Sequence, residues 1–93
     1  MAITAEFQTG IAHLVGRRTM TCPAQAPISV EGLLLALAAA DTKVASQLVE
    51  EDGALDASLL IAIDDRVVPR GLWRDTIVDD GVTVEVHVAY IGG

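Results

Sequence analysis

Apolar and polar residues alternate near both ends of the chain, a pattern typical of strands with one buried face. The stretch from Ile3 to Phe7 places Ile3, Ala5 and Phe7 on one side. A longer stretch over residues 82–90 alternates in the same way, and the residues of its apolar face are Val82, Val84, Val86 and Val88. We therefore predict a first strand near the N-terminus and a long last strand that ends at Tyr90.

The segment between the first strand and Pro23 has a less regular pattern. Thr9 to Gly16 contains two glycines among apolar residues, and we interpret it as a loop. A second strand is predicted from Arg17 or Arg18 to Cys22. It ends there because Pro23 has no backbone N–H to offer a neighbouring strand.

A helix is predicted shortly after Pro27. Ser29 is a preferred N-cap residue, and Glu31 places an anion in the first turn, where the helix dipole favours it. Apolar residues then recur at helical spacing, at Leu33, Leu34, Leu37, Ala38 and Ala40. We expect this to be the main helix of the fold.

A second helix is predicted to begin at Asp41, which ends the first helix and caps the next one. Its apolar face consists of Val44, Ala45 and Leu48. We expect the acidic residues 50–52 at the C-terminal end of this helix to oppose the helix dipole and to favour fraying. Gly53 is predicted to stop the helix.

The remaining segments predict a returning sheet. Ser58 to Ile63 is a short, nearly continuous apolar run, which is typical of a strand buried on both faces. The later features, in order, are a turn at 64–65, a short strand at 66–68, a helical turn at 72–75 and a tight turn at 79–81.

This order of two strands, a helix and returning strands predicts an α+β fold. The expected architecture is a β-grasp (ubiquitin-like) roll, with a mixed sheet of four to five strands packed on one main helix. In that topology the first and last strands lie side by side in the middle of the sheet. We predict a single domain over residues 1–89 and a flexible C-terminal tail over residues 90–93.

Composition narrows the class of protein. The chain has 93 residues, enough for one domain, and 52% of them are hydrophobic but only 3% aromatic, so we expect an aliphatic core. The longest apolar run, residues 33–40, is too short to span a membrane. Residues 1–6 lack the features of a signal peptide, so the expected location is the cytoplasm and no membrane partner is expected.

The charged and potentially reactive residues give little indication of catalysis or metal binding. The net charge of −7 disfavours nucleic acid as a partner and also keeps a small apolar protein soluble. Cys22 is the only cysteine, and we interpret it as a small core residue. His13 and His87 are far apart and lack metal-ligand spacing, so we expect structural or exposed histidines. The sequence predicts no catalytic residues, no bound cofactor and no metal.

The sequence ends in Gly92-Gly93. Without Cβ atoms, two final glycines can enter a narrow channel against the backbone of another protein. The alternative is an ordinary small, frayed chain end. The first interpretation predicts that the terminal carboxylate is the working group of the protein.

The C-terminal third carries a family resemblance. Its residues are the run 60–70, ending in Val68-Pro69-Arg70, then Trp73, the segment 76–81, the last strand and Gly92-Gly93. This arrangement resembles the ThiS/MoaD family of ubiquitin-like sulfur carriers. The Val-Pro-Arg step followed by tryptophan is closer to ThiS than to MoaD. A looser similarity covers residues 20–41, so that the resemblance spans about two thirds of the chain.

The resemblance implies a mechanism. A ThiF/MoeB-like adenylating enzyme would use ATP to activate the carboxylate of Gly93, and sulfur would then be installed as a thiocarboxylate. Gly92 would supply clearance, while Ile91 and Tyr90 would line the partner channel. Arg70 is a possible partner contact or simply an exposed arginine in a turn. The acceptor enzyme would be a thiazole synthase or the large subunit of molybdopterin synthase.

Departures from the family pattern leave the pathway open. The segments 9–16 and 50–58 look like additions and resemble the longer MoaD layout. Val82 occupies a position where the family usually has an acid. The thiamine thiazole is the leading destination of the sulfur. The alternatives are a MoaD-like subunit, a carrier for cysteine, tRNA or secondary metabolites, a ubiquitin-like protein modifier, and a plain β-grasp binding module.

Overall fold

The computed structural model of the chain describes residues 2–88. The strands in that range are β1 (Thr4–Phe7), β2 (Thr19–Thr21), β3 (Ile28–Ser29), β4 (Leu59–Ile63), β5 (Arg66–Val68), β6 (Ile77–Val78) and β7 (Thr83–Val88). The helices are α1 (Thr9–Val15), α2 (Val30–Ala40) and α3 (Thr42–Leu48), with a 3₁₀ turn at Arg70–Leu72. The last two residues of the predicted final strand lie outside the described residues.

The main sheet has the strand order β2-β1-β7-β4-β5. Its central pair, β1 and β7, is parallel, with Phe7 opposite Val86, and the other pairs are antiparallel. A parallel pair in the middle of an otherwise antiparallel sheet, with α2 packed across it, is the β-grasp arrangement. The predicted α+β roll is therefore confirmed, including the adjacency of the first and last strands.

A second, two-stranded sheet was not predicted. It pairs β3 with β6, with Ile28 opposite Val78 and Ser29 opposite Ile77. Strands of two residues carry no readable alternation, so a sequence pattern cannot reveal them. This small sheet leads directly into α2. The backbone N–H of Val30, the first residue of α2, also donates to the carbonyl of Thr76 at 2.9 Å.

The core is aliphatic and lies between the main sheet and the helices. Ile3, Ala5 and Phe7 point inward as predicted, and Val84 and Val86 are fully buried. The helix α2 contributes its own buried face, which consists of Val30, Leu33, Leu34 and Leu37. Cys22 is buried in this core, as expected for a small structural residue.

Residues 9–16, predicted as a loop, contain the helix α1 instead. Gly10 lies in its first turn, and Gly16 is its C-cap residue with a φ of 80°, a left-handed conformation that glycine adopts without strain. Ile11 and Val15 share one face, and both are buried. The two glycines that indicated a loop therefore lie at the ends of a short helix.

The end of α3 also differs from the prediction. The predicted N-caps of both helices are present. The side chain of Ser29 accepts a hydrogen bond from the first turn of α2, and that of Asp41 accepts hydrogen bonds from the first turn of α3. However, α3 ends at Leu48, before the acidic residues 50–52. Those residues form a turn closed by a bridge between Val49 and Leu55, so they lie outside the helix and do not fray it.

The predicted hairpin turn at Asp64-Asp65 is present between β4 and β5. Both residues have positive φ, 52° and 64°, as the tight turn of a two-residue hairpin requires. Aspartate tolerates this conformation better than most residues. The predicted helical turn at 72–75 begins earlier, as the 3₁₀ turn at Arg70–Leu72 that continues as turns to Asp75.

None of the helices within residues 2–88 is both long and apolar enough to cross a membrane. The boundary between a domain over 1–89 and a tail over 90–93 falls next to the described range. It remains a prediction.

The substitution Leu37→Ala tests the contribution of α2 to the core. Leu37 is fully buried, so its truncation leaves a cavity and should lower the free energy of unfolding by about 2–5 kcal/mol. Leu35→Ala on the same helix is the matched control, because Leu35 is 44% exposed and should lose less than about 1 kcal/mol. Urea unfolding followed by circular dichroism measures both. Equal losses would contradict the assignment of the buried face.

Candidate functional site

The strand that leads to the C-terminal residues, β7, lies at the centre of the main sheet. Val88, the last residue of β7, lies opposite Leu59 of β4. On the other side, the backbone N–H of Gln8 donates to the carbonyl of Val86 at 3.0 Å. The start of the C-terminal segment is therefore held on both sides. The predicted site residues Tyr90, Ile91, Gly92 and Gly93 themselves lie outside the described residues.

A wide surface groove of about 1200 Å³ lies beside this exit point. Its walls are α1, the residues that connect α1 to β2, and the end of β7. Leu14 of α1 and Val88 present apolar surface there, and both are partly or largely exposed. The unpredicted helix α1 thus forms one wall of a groove next to the last described residue of the final strand.

Arg70, a possible partner contact in the sequence analysis, binds carbonyl groups of its own chain. Its Nη2 donates to the carbonyl oxygen of Leu55 at 2.6 Å, and its Nη1 donates to that of Asp56 at 3.0 Å. These bonds attach the turn that follows β5 to the loop that precedes β4. The structure therefore assigns Arg70 a structural role, and a contact with a partner remains a prediction.

Trp73 completes this connection. Its ring is almost fully buried, as predicted, and its Nε1 donates to the carbonyl of Val68 at 2.8 Å. The Arg70 guanidinium lies 5.0 Å from the ring centroid, within cation–π range. The Trp73 carbonyl also accepts from the N–H of Glu31 in the first turn of α2. Arg70 and Trp73, part of the motif that resembles ThiS, thus have a structural role, and we call this pair the clamp. Their spacing of three residues was the sequence signal that could have revealed this role.

The loop held by Arg70 has one perturbed carboxylate, Asp56. Its pKa lies below the usual 3.8, first because the Ser58 hydroxyl donates to it, then because the Ser58 backbone N–H does so, and lastly because Arg70 is nearby. Burial opposes this shift by raising the pKa. These bonds fix the entry into β4, the strand that supports the start of the C-terminal segment.

The described residues contain no cluster of three potential metal-ligating side chains. His13 is exposed on α1, whereas His87 is half-buried with its Nε2 3.2 Å from Oε1 of Glu85. Neither histidine lies beside Cys22, which is buried in the core. Residues 2–88 show no grouping of side chains for acid–base or nucleophilic catalysis.

A β-grasp body whose C-terminal strand lies at the centre of its sheet defines the class of small ubiquitin-like proteins. Within that class the chain belongs to the ThiS family, whose sequence profile matches residues 14–93. Members of this family are small carrier or modifier proteins rather than catalysts. The predicted membership of the ThiS/MoaD family is confirmed.

Solved structures with the same fold include three ubiquitin-like proteins. SAMP1 from Haloferax volcanii superposes with a TM-score of 0.80 over 100% of both chains, at 17% identity. Urm1 from Trypanosoma brucei gives 0.71 at 23% identity, over 99% of this chain and 95% of its own.

The Amycolatopsis orientalis BexX/CysO complex provides a chain with a TM-score of 0.71 at 19% identity, over 99% of this chain and 100% of its own. At these identities the likenesses show the fold alone. No curated protein matches the sequence.

The substitution Arg70→Lys tests the clamp. Lysine keeps the charge but cannot reach both carbonyl groups with a planar fork, so the free energy of unfolding should fall by about 1 kcal/mol. Arg74→Lys is the control, because Arg74 makes only an exposed ion pair with Glu31 at 3.6 Å and should change stability by a few tenths of a kcal/mol. Chemical unfolding of the two variants compares them. A loss at Arg74 as large as that at Arg70 would contradict the clamp.

The lowered pKa of Asp56 predicts a pH dependence. Its hydrogen bonds stabilise the folded state fully above pH 3.8, the usual pKa, and this contribution is lost as the pH falls through the lower pKa of the folded state. Ser58→Ala removes the strongest cause of the shift, so its deficit in unfolding free energy should shrink as the solution is acidified. In the control Ser46→Ala the serine hydroxyl donates to the Lys43 carbonyl and accepts from Nε2 of Gln47, and neither partner is a carboxylate, so any deficit should not change with pH. A pH-independent deficit for Ser58→Ala would refute the assignment.

Proposed function

We propose that this protein is a sulfur carrier whose C-terminal Gly93 is adenylated and converted to a thiocarboxylate that donates sulfur in biosynthesis, foremost of the thiamine thiazole. The observation that carries the proposal is the ThiS-family match, which extends through the final glycine pair. The geometry of β7 supports it, since the strand leading to the glycines is anchored on both sides.

The chemistry takes place on the terminal carboxylate. A carboxylate oxygen of Gly93 attacks the α-phosphorus of ATP in a ThiF/MoeB-like enzyme, and pyrophosphate leaves. Hydrosulfide from the sulfur donor then attacks the acyl carbon and displaces AMP, and loss of its proton leaves the thiocarboxylate. Adenylation is needed because oxide is a poor leaving group, whereas AMP is a good one. The nucleotide binds to the partner, so the carrier itself needs no bound cofactor.

The body of the protein supplies a rigid base for this reaction. Five residues follow Val88, and an extended chain of that length reaches about 16 Å at roughly 3.3 Å per residue. That reach is sufficient to bring Gly93 into an active site while the β-grasp body stays outside. Gly92 gives the clearance for a narrow channel, and Tyr90 and Ile91 line its mouth.

The proposed sulfur acceptor is a thiazole synthase. The Val68-Pro69-Arg70 step and Trp73 support the ThiS side of the family, and the family profile is that of ThiS. The large subunit of molybdopterin synthase is the alternative acceptor. We propose the cytoplasm as the location, where ATP and these synthases are found together.

A protein-modifier function is the competing proposal. It takes its support from the name of a structural neighbour, the small archaeal modifier protein 1 of H. volcanii, whose TM-score is 0.76 at 16% identity. In that case the Gly93 acyl-adenylate would pass to a lysine amine instead of sulfur. Isopeptide-linked Gly93 in digests of cell protein would then be abundant, whereas a dedicated sulfur carrier leaves none.

Intact-mass measurement tests the sulfur-carrier proposal. The protein is incubated with its adenylating enzyme, ATP and a sulfur donor, and we expect a mass gain equal to the replacement of one oxygen by sulfur. Fragmentation should place the sulfur on Gly93. An unchanged mass, together with normal growth of cells that carry a deletion of Gly93, would overturn the proposal.

Gly92→Ala sharpens the same experiment. A methyl group in a channel that fits glycine should slow thiocarboxylate formation about tenfold or more, because small displacements of a reacting group are costly. Gly71→Ala is the matched control, since a Cβ at Gly71 has no atom within 4 Å and its addition should leave the rate unchanged. Equal rates for both variants would contradict the clearance role of Gly92.

A further inference from the structure

We propose that the groove beside the end of β7 is the docking surface for an acidic segment with an apolar face on the adenylating enzyme. The inference rests on the proposed function and identifies a surface for it. The partner segment would lie between α1 and β7, with its apolar side chains on the groove and its carboxylates on the basic rim.

The apolar part of the groove comes from residues that the core does not use. On α1, Ile11 and Val15 are buried, whereas Leu14 points away from the core and is 57% exposed. Val88 at the end of β7 is 37% exposed and also lines the groove. Together they form an apolar area in one concave surface, which a partner segment with an apolar face would cover.

The charge of the groove is opposite to that of the whole protein. Among residues 2–88 its lining contains no aspartate or glutamate but includes Arg17 and Arg18, together with His13 and His87, although the chain has a net charge of −7. Arg17 is paired with Asp41 at 3.2 Å, and His87 lies beside Glu85. Arg18 is exposed and makes no ion pair with any residue of the 2–88 range. It is therefore available to a carboxylate from outside.

Four acidic residues of the chain lie at the other end of the sheet. Asp64 and Asp65 form the turn after β4, and Asp79 and Asp80 precede β7. Because Ile63 pairs with Val84 and Leu59 pairs with Val88, these turns lie at the start of β7 and the groove lies at its end. Residues 50–52 and Asp56 precede β4, whose Leu59 pairs with Val88, so the charge that favours an acidic partner belongs to the groove lining itself and not to that whole end of the sheet.

The position of the groove points to an enzyme that acts on Gly93, and the adenylating enzyme, which acts on it first, is the partner of this proposal. Val88 is both a lining residue and the point from which the C-terminal segment continues. Any enzyme that takes Gly93 into its active site must cover or border this surface. Contacts in the groove would thus fix the direction in which the last five residues leave the body.

Affinity measurements with the adenylating enzyme test the docking surface. We expect Arg18→Glu to raise the Kd about tenfold, because a reversed charge at the edge of the groove repels the partner carboxylates. The KM for the carrier protein in the ATP–pyrophosphate exchange reaction should rise in parallel. Leu14→Ser should weaken binding through the loss of apolar contact. Arg18→Lys keeps the charge and should bind nearly as well as the wild type.

Two substitutions at the other end of the sheet are matched controls. Arg66→Glu makes the same charge reversal on an exposed arginine of β5. This arginine lies at the end of the sheet away from the groove, where Asp65 and Gly81 also lie. Val67→Ser removes a valine that is 58% exposed. Both should bind within about twofold of the wild type, because neither residue borders the groove. Thermal unfolding of every variant confirms that each one folds.

Three outcomes would overturn the docking proposal. Binding of Arg18→Glu and Leu14→Ser that equals the wild type would show that the partner does not use the groove. A wild-type dimer that Leu14→Ser dissociates in sedimentation would show that a second copy covers it. Effects of Leu14→Ser that vanish when residues 89–93 are deleted would show that the chain covers its own groove. If the wild type is never adenylated, the proposed function itself is wrong. If the variants are adenylated with the KM of the wild type, only the docking proposal is refuted.

Discussion

The parallel pairing of β1 and β7 is the constraint on which the rest of the structure depends. It joins the two ends of the sequence in the middle of the sheet, with Ala5 opposite Val84 and Phe7 opposite Val86. All four residues are buried, so a slip of one position would turn apolar side chains outward and is strongly disfavoured. The register therefore fixes where β7 ends, and with it the point from which the final residues leave the body.

The strand β4 pairs with the other side of β7. The loop that leads into β4 is held in place by residues that are distant in the sequence. Arg70 holds the loop before β4 by its carbonyl groups, while Trp73 binds the end of β5 and the start of α2. A chain with few aromatic residues thus uses its single tryptophan to connect three segments. Residues can identify a family by sequence because the fold requires them, even when they do not contact the reacting atoms.

Sequence patterns predicted the parts of this fold that repeat over several residues. The alternation of β1 and β7, the spacing in α2 and the caps Ser29 and Asp41 all have local physical causes that can be read from the sequence. The pairing of β3 with β6 could not be read, since two residues show no period. The helix α1 was hidden by Gly10 and Gly16, whose helix-end positions become evident only when Ile11 and Val15 are seen to share a buried face.

The missed helix matters for the site as well as for the fold. As a loop, residues 9–16 have no defined face, and Leu14 is only one more apolar residue in a hydrophobic chain. As a helix that packs Ile11 and Val15 inward, the same segment must turn Leu14 outward, beside the end of β7. The groove therefore follows from core packing on one side of α1. A concave apolar surface arises there because burying one face of a short helix leaves the other face exposed beside the end of β7, with Arg17 and Arg18 directly after the helix.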